Sequence, residues 1–305
     1  MKIVVAGGTG FLGQPLVTTL LAEGHDVVVL SRKSRSGHPP VRIVEWTPNG
    51  TPGPWATEID GADAVVNLAG EPIAARRWTD LQKQRIRESR VLATRSIVEA
   101  FNQAARRPSV LVSGSAVGYY GPLGNEIVTE EQSPGTDFLA KVADLWEMEA
   151  ARAASERTRV VSVRTGIVLE RDGGALPKML PPFWFGAGGP LGSGQQYWPW
   201  IHREDWIGLV RFALSTDSVE GPLNATAPNP VTNAEFARTL GKVLRRPTLL
   251  PTPGFALKLI LGEMAGALLL SGQRAVPSKA GRLGFKFRFE TLDAALRAIF
   301  CRLPG

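Results

Sequence analysis

The sequence predicts an α/β fold, a doubly wound parallel sheet with a smaller, mainly helical C-terminal lobe, and three observations carry that expectation. Short β-branched runs alternate with longer amphipathic stretches through the first two-thirds of the chain, the pattern of parallel strands joined by crossover helices. The chain opens on an apolar run that meets three glycines, Gly7, Gly10 and Gly13, at the start of a helical pattern. After Thr165 the rhythm changes to a Gly/Pro-rich stretch followed mostly by helical patterns.

In chain order, the candidate strands are Lys2–Ala6 and residues 26–30, 41–46, 64–68, 109–113 and 159–164. Between them lie candidate helices at 11–23, 79–105 and 137–154, the second with apolar residues at Ile86, Ile97, Val98 and Phe101. Six strands with helices on both faces make a doubly wound sheet. Prolines and glycines at 181–190 interrupt any long helix or central strand and mark a candidate pocket lid. Helices are then expected at 203–214, Asn233–Leu244, 255–264 and Leu292–Phe300, with a short strand at 285–289. The expected division is a nucleotide-binding domain over 1–165 and a substrate lobe over 166–305, some of whose elements return to the core. The lobe is expected over the carboxyl edge of the sheet.

Composition narrows the function classes. With 44% hydrophobic and 21% charged residues the chain is an ordinary globular one. Its 35 Lys+Arg against 28 Asp+Glu, a formal charge of +7, are spread along the chain rather than gathered in a run with aromatics, so a nucleic-acid partner is not expected. Cys301 is the only cysteine, which excludes an intramolecular disulfide and a cysteine-based zinc site. The first residues enter a strand-like stretch directly, with no long apolar region before a cleavage site, and the expectation is a cytoplasmic protein. The apolar stretch from Phe255 to Leu270 contains Lys258 and Glu263, each costing about 2.5–3.5 kcal/mol at a bilayer centre, so it reads as a packed helix and not a membrane span.

Residues 2–13 place G-x-x-G-x-x-G between a strand and a helix with apolar spacing at Phe11, Leu12, Leu16 and Leu20. Residues without Cβ permit the turn, admit a pyrophosphate close to the backbone and let helix pack on strand, while the helix N-terminus offers N–H donors. The pattern reads as a Rossmann-type dinucleotide site formed by Gly7, Thr9, Gly10, Phe11, Leu12 and Gly13, with a merely structural tight turn as the competing reading. At the end of the second strand, where an acid would bond the ribose hydroxyls of NAD, stand Ser31, Arg32 and Lys33. A hydroxyl and two cations suit a 2′-phosphate, which favours NADP over NAD; two solvated surface cations are the alternative.

Further motifs carry a resemblance. Residues 66–74 (VNLAGEPIA), 113–121 (SGSAVGYYG), 164–169 (RTGIVL), 200–205 (WIHRED) and 271–277 (SGQRAVP) resemble the extended short-chain dehydrogenase/reductases, also called the NAD-dependent epimerase/dehydratase family, in its atypical "epimerase family protein" group. The resemblance spans nearly the whole chain. It implies that Asn67, Leu68, Ala69 and Gly70 border the cofactor, that Ser115 matches the family's catalytic serine, and that the turn from Arg164 to Gly166 seats the nicotinamide end. Similar proteins commonly pair through two helices, which leaves a homodimer open while the residues themselves do not fix the oligomeric state.

The family's proton-transfer pair, a tyrosine four residues before a lysine, is absent. Four places after Tyr119, Tyr120 and Tyr197 stand Leu123, Gly124 and Ile201, and the matching helix carries Phe138 and Val142, with Lys141 one residue early and facing Asp137 as a surface ion pair. Ser115, Tyr119 and Tyr120 are therefore the candidate catalytic hydroxyls, with turn-stabilising and packing roles as their alternatives. His202 and Asp205 read as helix-start residues in preference to an acid/base pair. Glu71, Arg76, Arg77, Trp78, Gln273 and Arg274 are open between pocket and loop roles. Two functions compete: an NADP(H)-dependent oxidoreductase or epimerase on a small carbonyl or sugar-like substrate, and a non-catalytic NADP(H)-binding regulator or sensor.

Overall fold

The computed structural model describes residues 1–33, 41–248 and 250–300; Cys301 lies outside them. Seven strands form one all-parallel sheet: β1 (Lys2–Ala6), β2 (Asp26–Ser31), β3 (Arg42–Glu45), β4 (Ala64–Asn67), β5 (Val110–Ala116), β6 (Arg159–Thr165) and β7 (Gly221–Ala225). Their order is β7-β6-β5-β4-β1-β2-β3, with Val5 opposite both Val29 and Val66. The helices are α1 (Gly13–Ala22), α2 (Asp80–Gln103), α3 (Phe138–Ala151), α4 (Leu176–Trp184), α5 (Arg203–Ser215), α6 (Asn233–Leu244), α7 (Gly254–Leu261), α8 (Glu263–Ala265), α9 (Ser278–Arg282) and α10 (Leu292–Phe300).

The strands are apolar on both faces because both are covered, as a parallel sheet requires. Ile3, Val5, Val27, Val29, Val66, Val112 and Val163 pack with Leu16 and Leu20 of α1 and Trp206, Leu209 and Val210 of α5. Val4, Val28, Val65 and Leu111 pack on the other face with Ile97 and Phe101 of α2 and Ala150 of α3. The strand order reverses between β1 and β4, and their carboxyl ends open the crevice where such sheets bind ligands. The predicted fold class is the observed one.

Four local expectations are corrected. The sheet has a seventh strand, β7, whose Gly221 and Pro222 hide it from pattern reading; proline is tolerated there because β7 is an edge strand. Residues 181–184 are helical, since α4 runs through Pro181 and Pro182, held by burial of Leu176, Leu180 and Phe183. The helix expected at 255–264 breaks at Gly262, whose φ of +65° ends α7; α7 buries none of its residues, while Met264 and Ala265 of α8 are buried. Residues 285–289 form no strand.

There the backbone N–H groups of Arg288 and Phe289 donate instead to the buried Asp205 carboxylate, at 2.7 and 2.9 Å. Asp205 thus bolts the C-terminal segment to the first turn of α5, and burial pushes its pKa up against the two hydrogen bonds that lower it. Asp205→Ala should cost about 2–3 kcal/mol by stranding these two donors, with Asp205→Asn losing less, as urea unfolding would measure.

Candidate functional site

The glycine loop lies at the β1–β4 crevice. Gly7 has φ +79°, and a Cβ there would stand 2.8 Å from the carbonyl carbon of Leu68, so loop and β4 end touch only because the residue is glycine. A Cβ on Gly13 would collide with the Gly7 carbonyl oxygen, whereas one on Gly10 would meet nothing closer than that oxygen at 3.3 Å. Gly7 and Gly13 thus close the turn and Gly10 leaves it open. Helix α1 begins without a side-chain cap and without an acid in its first turn, so among the described residues no carboxylate caps its N-terminal donors and positive dipole end. This cradle fits a pyrophosphate.

The other predicted contacts border this loop in part. The Gly7 N–H donates to Leu30 at the end of β2, directly before Ser31 and the exposed Arg32 and Lys33. Leu68 N–H donates to Ala6, and Asn67 accepts from Ala69 N–H while donating to Thr94. Thr9 is exposed, Leu12 is half-buried against the α1–α5 core, and the Phe11 ring packs under Gly173 and Gly174. Gly166 is a packing glycine, since a Cβ there would strike the Pro199 carbonyl.

Ser115 and the tyrosines belong to one buried polar cluster. Ser115, 4% exposed near the end of β5, donates to Glu147 of α3 at 2.5 Å. Glu147 receives both Nε and Nη2 of Arg164, each at 2.8 Å. Nη1 of Arg164 donates to the Tyr120 hydroxyl at 3.0 Å, which in turn donates to Asn224 of β7 at 2.6 Å. The guanidinium also stacks 3.5 Å from the Tyr119 ring centroid.

Burial pushes the Tyr120 phenol up to about 12 although Arg164 lowers it, so Tyr120 is a neutral, committed hydrogen-bonding group. Burial acts to lower the Arg164 pKa, but the hydrogen bond and charge of Glu147 outweigh it and hold the group above its ordinary value. Tyr119 and Glu147 also line a groove of about 920 Å³ between α3 and strands β6 and β7.

Phe138 and Val142 face the other side of α3. Val142 packs with Trp78, Ile86 and Met264, and Phe138 meets Trp78 edge-to-face at 5.2 Å. An apolar cluster therefore occupies the positions where the proton-transfer pair would stand. Asp137 is not paired with Lys141; it caps α3, accepting from Ala140 N–H at 2.8 Å. His202 caps α5 through Glu204 N–H. Gln273 donates to Val117, and Arg274 lies over the Tyr197 ring.

Sequence reading missed Glu147, Asn224, Glu130 and Arg90. Glu147 had a signal, since it falls in the stripe Ala140, Ala143, Glu147, Ala150 that should be apolar throughout. Glu130 accepts from Asn224 and Lys279 backbone N–H groups, a contact no local pattern encodes. Arg90 lies beneath Gly70, its Cζ 3.3 Å from where a Cβ would be, and over the Trp146 ring; burial lowers its pKa to about 10.

Residues 3–225 match the family described as the NAD dependent epimerase/dehydratase family, and residues 252–299 match a domain of unknown function, DUF1731. The chain is 43% identical over 303 residues to the chloroplastic epimerase family protein SDR39U1 homolog of Arabidopsis thaliana, covering 98% of this chain and 86% of that one. It is 40% identical to the epimerase family protein YfhF of Bacillus subtilis, covering 97% of each. A crystal structure of human epimerase family protein SDR39U1 with NADPH superposes with a TM-score of 0.91 at 37% identity, over 99% of this chain and 100% of that one. Among the described residues no helix is long and apolar enough to cross a membrane.

Arg164→Ala should destabilise the protein by about 3–5 kcal/mol, because it leaves the Glu147 carboxylate in a largely buried site without its cation. The paired change Arg164→Met with Glu147→Met should recover most of that loss in urea unfolding.

Proposed function

The chain belongs to the NAD dependent epimerase/dehydratase family, and on that premise we propose that it binds NADP(H) and acts as an oxidoreductase or epimerase on a small carbonyl or sugar-like substrate. The observation that carries the cofactor assignment is the uncapped N-terminus of α1 behind a loop left open at Gly10, with Arg32 and Lys33 at the end of β2. Gly7, Gly10 and Gly13 would hold the pyrophosphate, Ser31, Arg32 and Lys33 the 2′-phosphate, and Leu68, Ala69 and Gly70 would border the nicotinamide half. The bound nicotinamide supplies hydride transfer; the protein supplies orientation and a proton.

Ser115 is the hydroxyl best placed to relay that proton: in alcohol oxidation it would take the substrate's proton while passing its own to Glu147, which accepts from it at 2.5 Å and is anchored by two bonds from Arg164, and reduction would run the relay in reverse. Tyr120 serves as a positioning group, its proton committed to Asn224 and its pKa near 12. Tyr119, half-buried and stacked on Arg164, remains a candidate to touch the substrate. One observation favours the second reading, a non-catalytic NADP(H) sensor: the apolar packing of Phe138 and Val142 with Trp78 and Met264.

NADPH should bind at least about tenfold more tightly than NADH, and Arg32→Ala with Lys33→Ala should erase the difference while sparing NADH. Equal wild-type affinities in calorimetry would refute the preference. Gly10→Ala should lower the thermal midpoint less than Gly13→Ala, its Cβ standing 3.3 Å and not 2.2 Å from the Gly7 oxygen, but weaken NADPH about tenfold or more, by placing a methyl where the phosphate would lie. Turnover of NADPH across a carbonyl and nucleotide-sugar panel, lost in Ser115→Ala with cofactor affinity intact, supports the enzyme. Tight NADPH binding without turnover supports the sensor.

A further inference from the structure

Helix α7 is unusual in burying none of its side chains while carrying the sequence GFALKLIL. Phe255, Leu259 and Ile260 are 77%, 78% and 69% exposed, and Leu250 just before the helix is exposed as well. Trp184 and Phe185 at the end of α4 are exposed too. The segments are joined: Thr252 N–H donates to Pro190 and Gly192 N–H to Thr252, and Gly189 lies against the Leu250 carbonyl. Isolated exposed apolar residues need no explanation, but six large ones on two segments linked through these contacts mark an interaction face.

The charges carried by the segments of this face have one sign, and the carboxylates that flank them, Asp172, Glu235 and Glu263, are held in ion pairs or a helix cap. Residues 173–202 and 236–262, which build it, contain no Asp or Glu. They carry the exposed Lys242, Arg245, Arg246 and Lys258, and among the described residues Arg245, Arg246 and Lys258 make no ion pair. The nearby carboxylates are taken, Glu263 by Lys83 and Asp293 by Arg297. The two arginines are displayed by construction. Arg245 ends α6 with φ +55°, and Gly241 lets the following turn fold back against the helix. On α7, Lys258 stands between Phe255 and Leu259 at i+3 and i+4, placed to reach headgroups while its neighbours enter the acyl boundary.

We propose that the face formed by α7, the end of α4, the turn at Arg245 and Arg246, and Leu250 docks the protein peripherally on the surface of an anionic lipid bilayer. Charge complementarity selects that occupant: a second copy of the chain would bring the same cations against these, whereas an acidic membrane supplies both an apolar layer and opposing charge.

The test is flotation of the full chain with vesicles of phosphatidylcholine alone and of phosphatidylcholine mixed with phosphatidylserine. The protein should rise with the acidic vesicles and scarcely with the neutral ones. Phe255→Asp with Ile260→Asp should abolish flotation at an unchanged thermal midpoint, both side chains being exposed. Arg245→Ala with Arg246→Ala should weaken binding to acidic vesicles about 25-fold, at about fivefold per cation. Absence of flotation with acidic vesicles would overturn the proposal, as would equal binding to both vesicle types. A dimer in sedimentation that Phe255→Asp splits, without flotation, would overturn it in favour of a second copy.

Discussion

The bidentate ion pair of Arg164 and Glu147 is the interaction on which the candidate site depends. It sits under the carboxyl ends of β5 and β6, with Arg164 3% and Glu147 12% exposed at their side chains. Burying two charges there is unfavourable unless every remaining donor and acceptor is satisfied. That condition is met on all sides: Arg164 also donates to Tyr120 and to the Glu130 backbone carbonyl, and Glu147 also accepts from Ser115. The pair therefore orients the serine, holds the tyrosine turn and reaches β7 through Asn224. A network so fully satisfied has few alternative arrangements, which makes Ser115 a fixed group rather than a mobile one.

The glycine loop imposes a different constraint. Here the controlling fact is steric: β1, α1 and β4 approach so closely that Gly7 and Gly13 have no room for a methyl group. That approach aims the uncapped end of α1 at the crevice, beside the Leu68–Gly70 edge. The two constraints meet across β4 and β5, whose ends are adjacent in the sheet, with Asn67 opposite Ser113.

Between loop and polar cluster, α3 divides the chemistry by its two sides. Glu147 faces β5 and β6, while Phe138 and Val142 face α2 and α8. Replacing an aromatic hydroxyl and an ammonium by phenyl and isopropyl groups converts a wet catalytic edge into a packed seam with Trp78 and Met264. The same C-terminal region that closes this seam through α8 turns the unburied side chains of α7 outward. One short segment thus contributes both to a buried seam with α2 and α3 and to an exposed apolar surface.

Pattern alone determined the doubly wound sheet, the glycine loop and the lack of a Tyr-x-x-x-Lys pair, because each is written locally: short β-branched runs alternating with amphipathic stretches, a three-residue glycine interval, a four-residue helical offset. The same locality explains what escaped it. β7 pairs through backbone hydrogen bonds to β6, so Pro222 masks it in sequence but not in space. Residues 285–289 look like a strand, yet the Asp205 carboxylate takes the N–H groups a strand partner would have taken. Asp137 and Lys141 stand at ion-pair spacing, but the open N-terminus of α3 claims the carboxylate. Above all, the cluster joins three separate segments, the stretch holding Ser115 and Tyr120, Glu147 of α3 and Arg164 of β6. Tertiary structure alone decided that they form one cluster, since burial leaves each polar group to be satisfied by whatever the fold brings within hydrogen-bond reach.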